Sequence, residues 1–177
     1  MARAFHTFAT AALVLLLWSG AGLAASLTVA SPAFKDGDRM PRSAGCEGGD
    51  HSPALSISGT PAGTKTLAIL MTEQDSQRAV TALWMAYNLP GNLANLPENQ
   101  PRTRQMKGEG LQLPGPGGKM GYTGPCPPSG LTRRYVIEVF ALDAALDLPE
   151  NATKQEFLLA VEGHILAKGK LSGKFKK

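Results

Sequence analysis

Apolar positions along this chain fall mostly into short runs separated by turn-forming residues. Thr66 to Met71 is apolar almost without a break, and Ala82 to Leu89 is a second such run, closed by Pro90-Gly91. Runs this short, bounded by turn signals, predict strands buried on both faces rather than helices. Arg134 to Leu142 places Tyr135, Ile137, Val139 and Ala141 on one side and Val136, Phe140 and Leu142 on the other around Glu138. Both sides are largely apolar, which predicts a central strand between two packed layers. Leu27 to Phe34, Leu55 to Ser58 and Leu166 to Phe175 complete the strand-like segments.

One segment breaks this rhythm. Thr153-Lys154-Gln155-Glu156 has the form of a capping box, in which a threonine hydroxyl takes an amide three residues on and the glutamate reaches back. Phe157, Val161 and Ile165 follow at four-residue spacing, predicting a helix of about ten residues that ends near Gly163. Several strands and one helix, with no strand-helix alternation, exclude a doubly wound fold and leave a mostly β domain. Between Asn92 and Gly121 lies a long irregular stretch with Pro97, Pro101, Pro114 and Pro116, many glycines, and Arg102, Arg104 and Lys107. A stretch of that length without periodicity is functional or mobile in most compact domains.

The N-terminus reads differently from the rest. Arg3 precedes an apolar run from Ala11 to Trp18 and then small residues from Ser19 to Ala25. This is the order of a secretory signal peptide, with cleavage expected after Ala24 and Ala25 as the second choice. The apolar run is shorter than the ~20 residues a bilayer span needs, so a retained anchor is the weaker alternative. Cleavage leaves about 150 residues, one domain able to bury its own core. The formal charge of the whole chain is +4 and falls by one with Arg3. That does not mark a nucleic-acid binder. Much of the excess lies in Lys168, Lys170, Lys174, Lys176 and Lys177, which read as a solvated strand face that discourages edge pairing, with an acidic partner or anionic membrane as the alternative.

The densest constellation is Gly121-Tyr122-Thr123-Gly124-Pro125-Cys126-Pro127-Pro128, followed by Arg134-Tyr135. Glycines allow close backbone approach and prolines hold the loop extended at the start of a strand, a good place for a pocket. With Ser31-Pro32-Ala33-Phe34, Ser52-Pro53, Tyr87-Asn88-Leu89-Pro90, Ala141-Leu142-Asp143 and Glu162-Gly163-His164, this loop resembles the phosphatidylethanolamine-binding protein family, in particular its bacterial Raf-kinase-inhibitor-like branch. The resemblance covers nearly all of residues 25–177. It implies a large antiparallel sheet packed with a smaller one and carrying peripheral helices, one of them near the C-terminus. It also places Cys46 and Cys126 in stretches that border one site. If the protein is exported to an oxidising compartment, the two can form a single disulfide, and two buried free thiols are the alternative.

The same resemblance implies a small anion-binding pocket beside the loop. Its usual lining is an acidic Asp-Pro-Asp-Ala-Pro segment, a His before the Trp and a second His before the Arg-Tyr. Here those positions hold Glu73-Gln74-Asp75-Ser76-Gln77, Leu83 and Arg133, and Gly115-Pro116-Gly117-Gly118 replaces an Asn-Asp-Phe-Gly type approach. The scaffold matches and the lining departs. Candidate ligand-binding residues are Glu73, Asp75, Trp84, Tyr122, Gly124, Pro125 and Arg133. Leu83 donates nothing to an anion, whereas Arg133 supplies a permanent cation with a planar donor fork. A Glu73–Arg133 ion pair would cancel both charges, so a retuned pocket and a closed one both remain open.

Other chemistry is thin. His51, His164 and Cys46 lack metal-ligand spacing, no cofactor is implied, and Ser52 beside His51 is no nucleophile-base pair because adjacent side chains point apart. His164 at the helix end suggests a capping role. The expected function is binding rather than catalysis. The ligand would be a small anionic group such as a phosphate ester, a phospholipid head group or a carboxylate, in an exported, most simply periplasmic, protein. The alternative is an interaction module that inhibits or modulates a protease or kinase through the surface around the pocket, including residues 92–118.

Overall fold

The computed structural model describes residues 26–74 and 81–177. The expected signal peptide and Asp75 lie outside them. Among the described residues eight strands and one α-helix run in the order β1 (Thr28–Ala30), β2 (Leu55–Ser58), β3 (Thr66–Glu73), β4 (Ala82–Pro90), β5 (Asn95–Leu96), β6 (Leu111–Gln112), β7 (Thr132–Leu142), α1 (Lys154–Val161) and β8 (Ile165–Lys176). They form a five-stranded sheet in the order β6-β4-β3-β7-β8 and a three-stranded sheet in the order β1-β2-β5. All pairings within the two sheets are antiparallel. The mostly β, two-sheet expectation is met.

The strands named for continuous apolar character are the central ones. From Leu67 to Met71 every residue of β3 is buried, because the large sheet is covered on both faces. One face packs Leu67, Ile69, Met71, Trp84, Tyr135 and Ile137 against Val29, Leu55, Ile57 and Leu96 of the small sheet. The other packs Leu70, Met85, Tyr87, Phe140 and Leu142 against Leu146, Leu148, Phe157 and Val161. Alternation along β7 therefore feeds two cores at once.

Two boundaries differ from expectation for local reasons. The first strand stops at Ala30 because the Ser31 hydroxyl donates to the Ala54 carbonyl and accepts from the Ala33 amide, which turns the chain. The capping box forms as expected, with Thr153 Oγ1 accepting from the Glu156 amide and Glu156 Oε2 accepting from the Thr153 amide. The helix, however, ends at Val161: Gly163 takes a left-handed φ of 90°, and Ile165 opens β8 with its side chain exposed instead of continuing the apolar stripe. The spacing of Ile165 was coincidental.

Residues 92–121 contain β5, β6 and a short 3-10 turn at Pro116–Gly118 and are otherwise irregular. Leu96, Met106 and Leu113 anchor the stretch in the cores, and two buried glutamines tie its backbone together. Gln112 Nε2 donates to the carbonyls of Pro101 and Thr103, and Gln100 Oε1 accepts from the Lys107 amide. Buried polar groups satisfied this completely rigidify a loop.

Candidate functional site

Antiparallel neighbours bring the end of β3, the start of β4 and the start of β7 to one edge of the large sheet. Glu73 lies opposite Tyr135 in the β3–β7 register, and Gln74 N donates to Arg134 O. The Gly121–Pro128 loop joins the same edge, since Thr123 N donates to Leu83 O at 2.8 Å. Glu73, Leu83, Trp84, Tyr122, Gly124, Pro125 and Arg133 are thus drawn together from four parts of the chain.

Leu83 stands at a register shift: Met71 faces Trp84 and Thr72 faces Ala82, so Leu83 is the extra residue of a bulge. Bulges re-aim side chains at the ends of sheets. Here Leu83 and Trp84 are both buried in the core between the sheets. Trp84 is fully buried, its Nε1 donates to Gln112 Oε1 at 2.8 Å, and its ring meets that of Tyr122 edge-on at 5.5 Å. Tyr122 donates its hydroxyl to Ala44 O at 2.9 Å. Both aromatics lie in the core beneath this sheet end, with their polar atoms committed to protein.

Burial pushes the Tyr122 phenol well above its ordinary range, and the neighbouring Asp50 carboxylate and Tyr135 add to the shift. Tyr122 therefore stays a neutral donor at any physiological pH.

On the loop side, the Cys46–Cys126 disulfide is formed, with Cα atoms 5.4 Å apart. Cys46 N donates to Pro125 O, and Asp50 Oδ1 accepts from Gly124 N at 3.1 Å. Asp50 Oδ2 pairs with Arg102 Nη2 at 3.3 Å, and Arg102 also donates to Gly49 O. Gly124 has to be glycine: a Cβ there would lie 2.2 Å from Ala44 O and 2.5 Å from Asp50 Oδ1.

On the strand side, Arg133 Nε stands 3.9 Å from Glu73 Oε1, both side chains partly exposed. Glu73 Oε2 accepts the Tyr135 hydroxyl at 3.0 Å. Arg133 and Tyr135 share a face of β7 because side chains two apart on a strand do. Thr123 Oγ1 is buried without a hydrogen-bond partner among the described residues, next to Gly115. A buried hydroxyl without a partner is costly and calls for an acceptor.

Four contributors escaped sequence reasoning. Tyr135 was visible as Arg133's neighbour at a spacing of two. Asp50 lay in a loop dense in turn formers, and its left-handed backbone (φ 53°), which Asp tolerates better than most residues, gave no signal in advance. Arg102 and Gln112 act across long sequence separations that no local pattern reveals. His164 Nδ1 lies 2.8 Å from Asp143 Oδ1, away from this corner. Ser52 is buried and its Oγ accepts from the Gln100 amide. Among the described residues no group of three His, Cys, Asp or Glu side chains could hold a metal ion.

Comparison with known proteins places the fold. The family profile described as phosphatidylethanolamine-binding protein matches residues 30–176. The chain is 38% identical over 145 residues to a UPF0098 protein of Methanothermobacter thermautotrophicus, covering 82% of this chain and 95% of that one. A crystal structure of a putative phosphatidylethanolamine-binding protein homologue, CT736 of Chlamydia trachomatis, superposes with a TM-score of 0.77 at 32% identity, covering 86% of this chain and 99% of that one. The structure of E. coli YbcL, described as a new member of the mammalian family, superposes at 0.79 with 26% identity and the same coverage of 86% and 99%. Two packed antiparallel sheets, one of five strands and one of three, define the class. The chain belongs to the phosphatidylethanolamine-binding protein family.

Proposed function

We propose that the protein is an exported binding protein that holds a small anionic group in the corner between Arg133, Tyr135 and the Gly121–Pro128 loop, without turnover. The group is a phosphate ester, a phospholipid head group or a carboxylate. The observation that carries this reading is the position of Arg133. A permanent cation sits at a partly exposed strand end, 3.9 Å from the Glu73 carboxylate. An anion with two oxygens matches the planar guanidinium fork with paired bonds.

Binding without catalysis fits the state of the other reactive groups: the cysteines are joined and Ser52 is buried in a backbone contact. Export draws support from the same disulfide, which an oxidising compartment preserves. Among the described residues no helix is long and apolar enough to cross a membrane.

The test is calorimetric titration with phosphate, phosphoethanolamine and a short acidic peptide at low salt, with amide NMR to locate the response. The expected result is saturable binding that shifts the Tyr122 and Gly124 amides and weakens about tenfold or more in Arg133→Ala, as loss of a charged hydrogen bond predicts. No shift at those amides with any of the three would mean the Glu73–Arg133 pair closes the corner, and residues 92–118 would become the surface to probe for a protein partner.

A further inference from the structure

A second basic locus lies outside the corner. The turn after β1 runs beside the C-terminal end of β8, where Met40 N donates to Lys174 O and Lys174 N donates to Asp38 O. Asp36 fixes the same turn by accepting both the amide and the hydroxyl of Ser172, and these bonds hold its carboxyl below the usual carboxylate range. Between the turn and the strand is a hollow of about 280 Å³. Its floor is apolar, made by Met40 and Phe175, both buried. Its rim carries Arg39, Arg42 and Lys176, with Lys177 beside them.

The charge there is one-sided. Glu47 is the acidic side chain in the lining, and it pairs with Lys177 at 3.8 Å. Among the described residues Arg39, Arg42 and Lys176 have no ion-pair partner. Three like charges held over an apolar floor focus the field into the hollow and raise the local concentration of anions. Such an arrangement costs repulsion energy in the empty protein, and an anion removes that cost.

The scaffold is also fixed. Gly45 lies so close to the Phe175 ring that an added Cβ would fall 2.1 Å from it, and at Gly48 it would fall 1.8 Å from Arg42 O. The loop carrying Arg42 is thus folded tightly on itself and onto β8, and the Cys46–Cys126 disulfide ties it to the Gly121–Pro128 loop. The lining includes neither Arg133, Glu73 nor the Gly121–Pro128 loop.

We propose that this hollow is a second anion site, for a phosphate monoester group, with Arg39, Arg42 and Lys176 as its donors. Two guanidinium forks match phosphate oxygens in pairs, and three uncompensated cations suit a dianion better than the single charge of a carboxylate. The volume is at the small end of ligand sites, enough for a phosphate and a short substituent. Soluble esters and phosphatidate head groups share this chemistry.

The experiment is amide NMR of the full chain titrated with phosphoethanolamine at low salt, with matched sodium chloride as control, beside co-sedimentation with vesicles of phosphatidylcholine with and without phosphatidic acid. The site predicts saturable shifts of the Met40, Lys174 and Lys176 amides that persist in Arg133→Ala and weaken about tenfold or more in Arg39→Gln/Arg42→Gln. Lys176→Gln gives a second, milder variant whose undisturbed core amides report that the fold is intact. Shifts with the soluble ester assign the site to small phosphates. Sedimentation with phosphatidic acid alone, lost in the double variant, assigns it to lipid head groups. Neither response, an equal response to chloride, or a response unchanged in the double variant overturns the proposal.

Discussion

Arg102 meets Asp50 at 3.3 Å on one side of the Gly121–Pro128 loop, and Arg133 meets Glu73 at 3.9 Å on the other. The residue types are similar and the partners differ. Arg102 and Asp50 also bond backbone, at Gly49 O and Gly124 N, in a region already joined by the disulfide. Glu73 instead divides its carboxylate between two side chains, Arg133 and the Tyr135 hydroxyl. Bonds from side chain to backbone fix the path of the chain, and losing one leaves a buried amide unsatisfied. Bonds between side chains at a partly exposed strand end fix orientation only and can be exchanged for bonds to a ligand. The first corner is therefore a clamp, and the second is where we propose that an anion competes.

The largest expected effect lies on the clamp. Cys46 and Cys126 are 80 residues apart in sequence, and a loop of that length corresponds to about 4 kcal/mol of chain entropy. Reduction, or Cys46→Ser with Cys126→Ser, should lower the melting temperature strongly and speed amide exchange at Gly124. A melting temperature indifferent to reductant would show that Arg102 and Asp50 hold the loops unaided. Next in size is Asp50→Ala, which strands the Gly124 amide and the Arg102 guanidinium and should cost about 2 kcal/mol. On the strand side, Arg133→Ala should cost less than about 1 kcal/mol in denaturant, as partly exposed pairs usually do. Equal losses for Asp50→Ala and Arg133→Ala would erase the distinction between the two corners.

Much of this was readable in the chain. Continuous apolar character marked β3 and β4 because they are covered on both faces, and the capping box marked α1 because its two hydrogen bonds are local. Ile165 shares the helical spacing but lies beyond the Gly163 turn, and it opens β8. Glu73 and Arg133 could be placed near each other through the resemblance, since both flank recognisable motifs. Their mutual geometry could not be read, because it depends on the register that sets Glu73 opposite Tyr135. Asp50 was hidden for the opposite reason. Its loop looked like turn geometry, and its partner Gly124 lies 74 residues away. The basic hollow was split in the same manner, with Arg39 and Arg42 near one end of the chain and Lys176 at the other. Long-range charge clusters become visible only once the strands are paired.

The smallest expected effect separates the two oxygens of Glu73. Tyr135→Phe keeps the buried ring in the core between the sheets and removes only the hydroxyl that donates to Oε2. Stability should fall by about 1 kcal/mol, the usual worth of one such bond. The effect on binding should have the same sign and a different cause. Without that donor the carboxylate turns its full charge on Arg133, and an incoming anion must displace a stronger competitor. Phosphoethanolamine affinity at the Tyr122 and Gly124 amides should then drop a few-fold in Tyr135→Phe, as about 1 kcal/mol implies. Glu73→Gln, which removes the competitor, should reverse the loss. If Tyr135→Phe lowers stability and leaves affinity untouched, Glu73 does not gate the guanidinium, and the strand-side corner is a second clamp rather than a site.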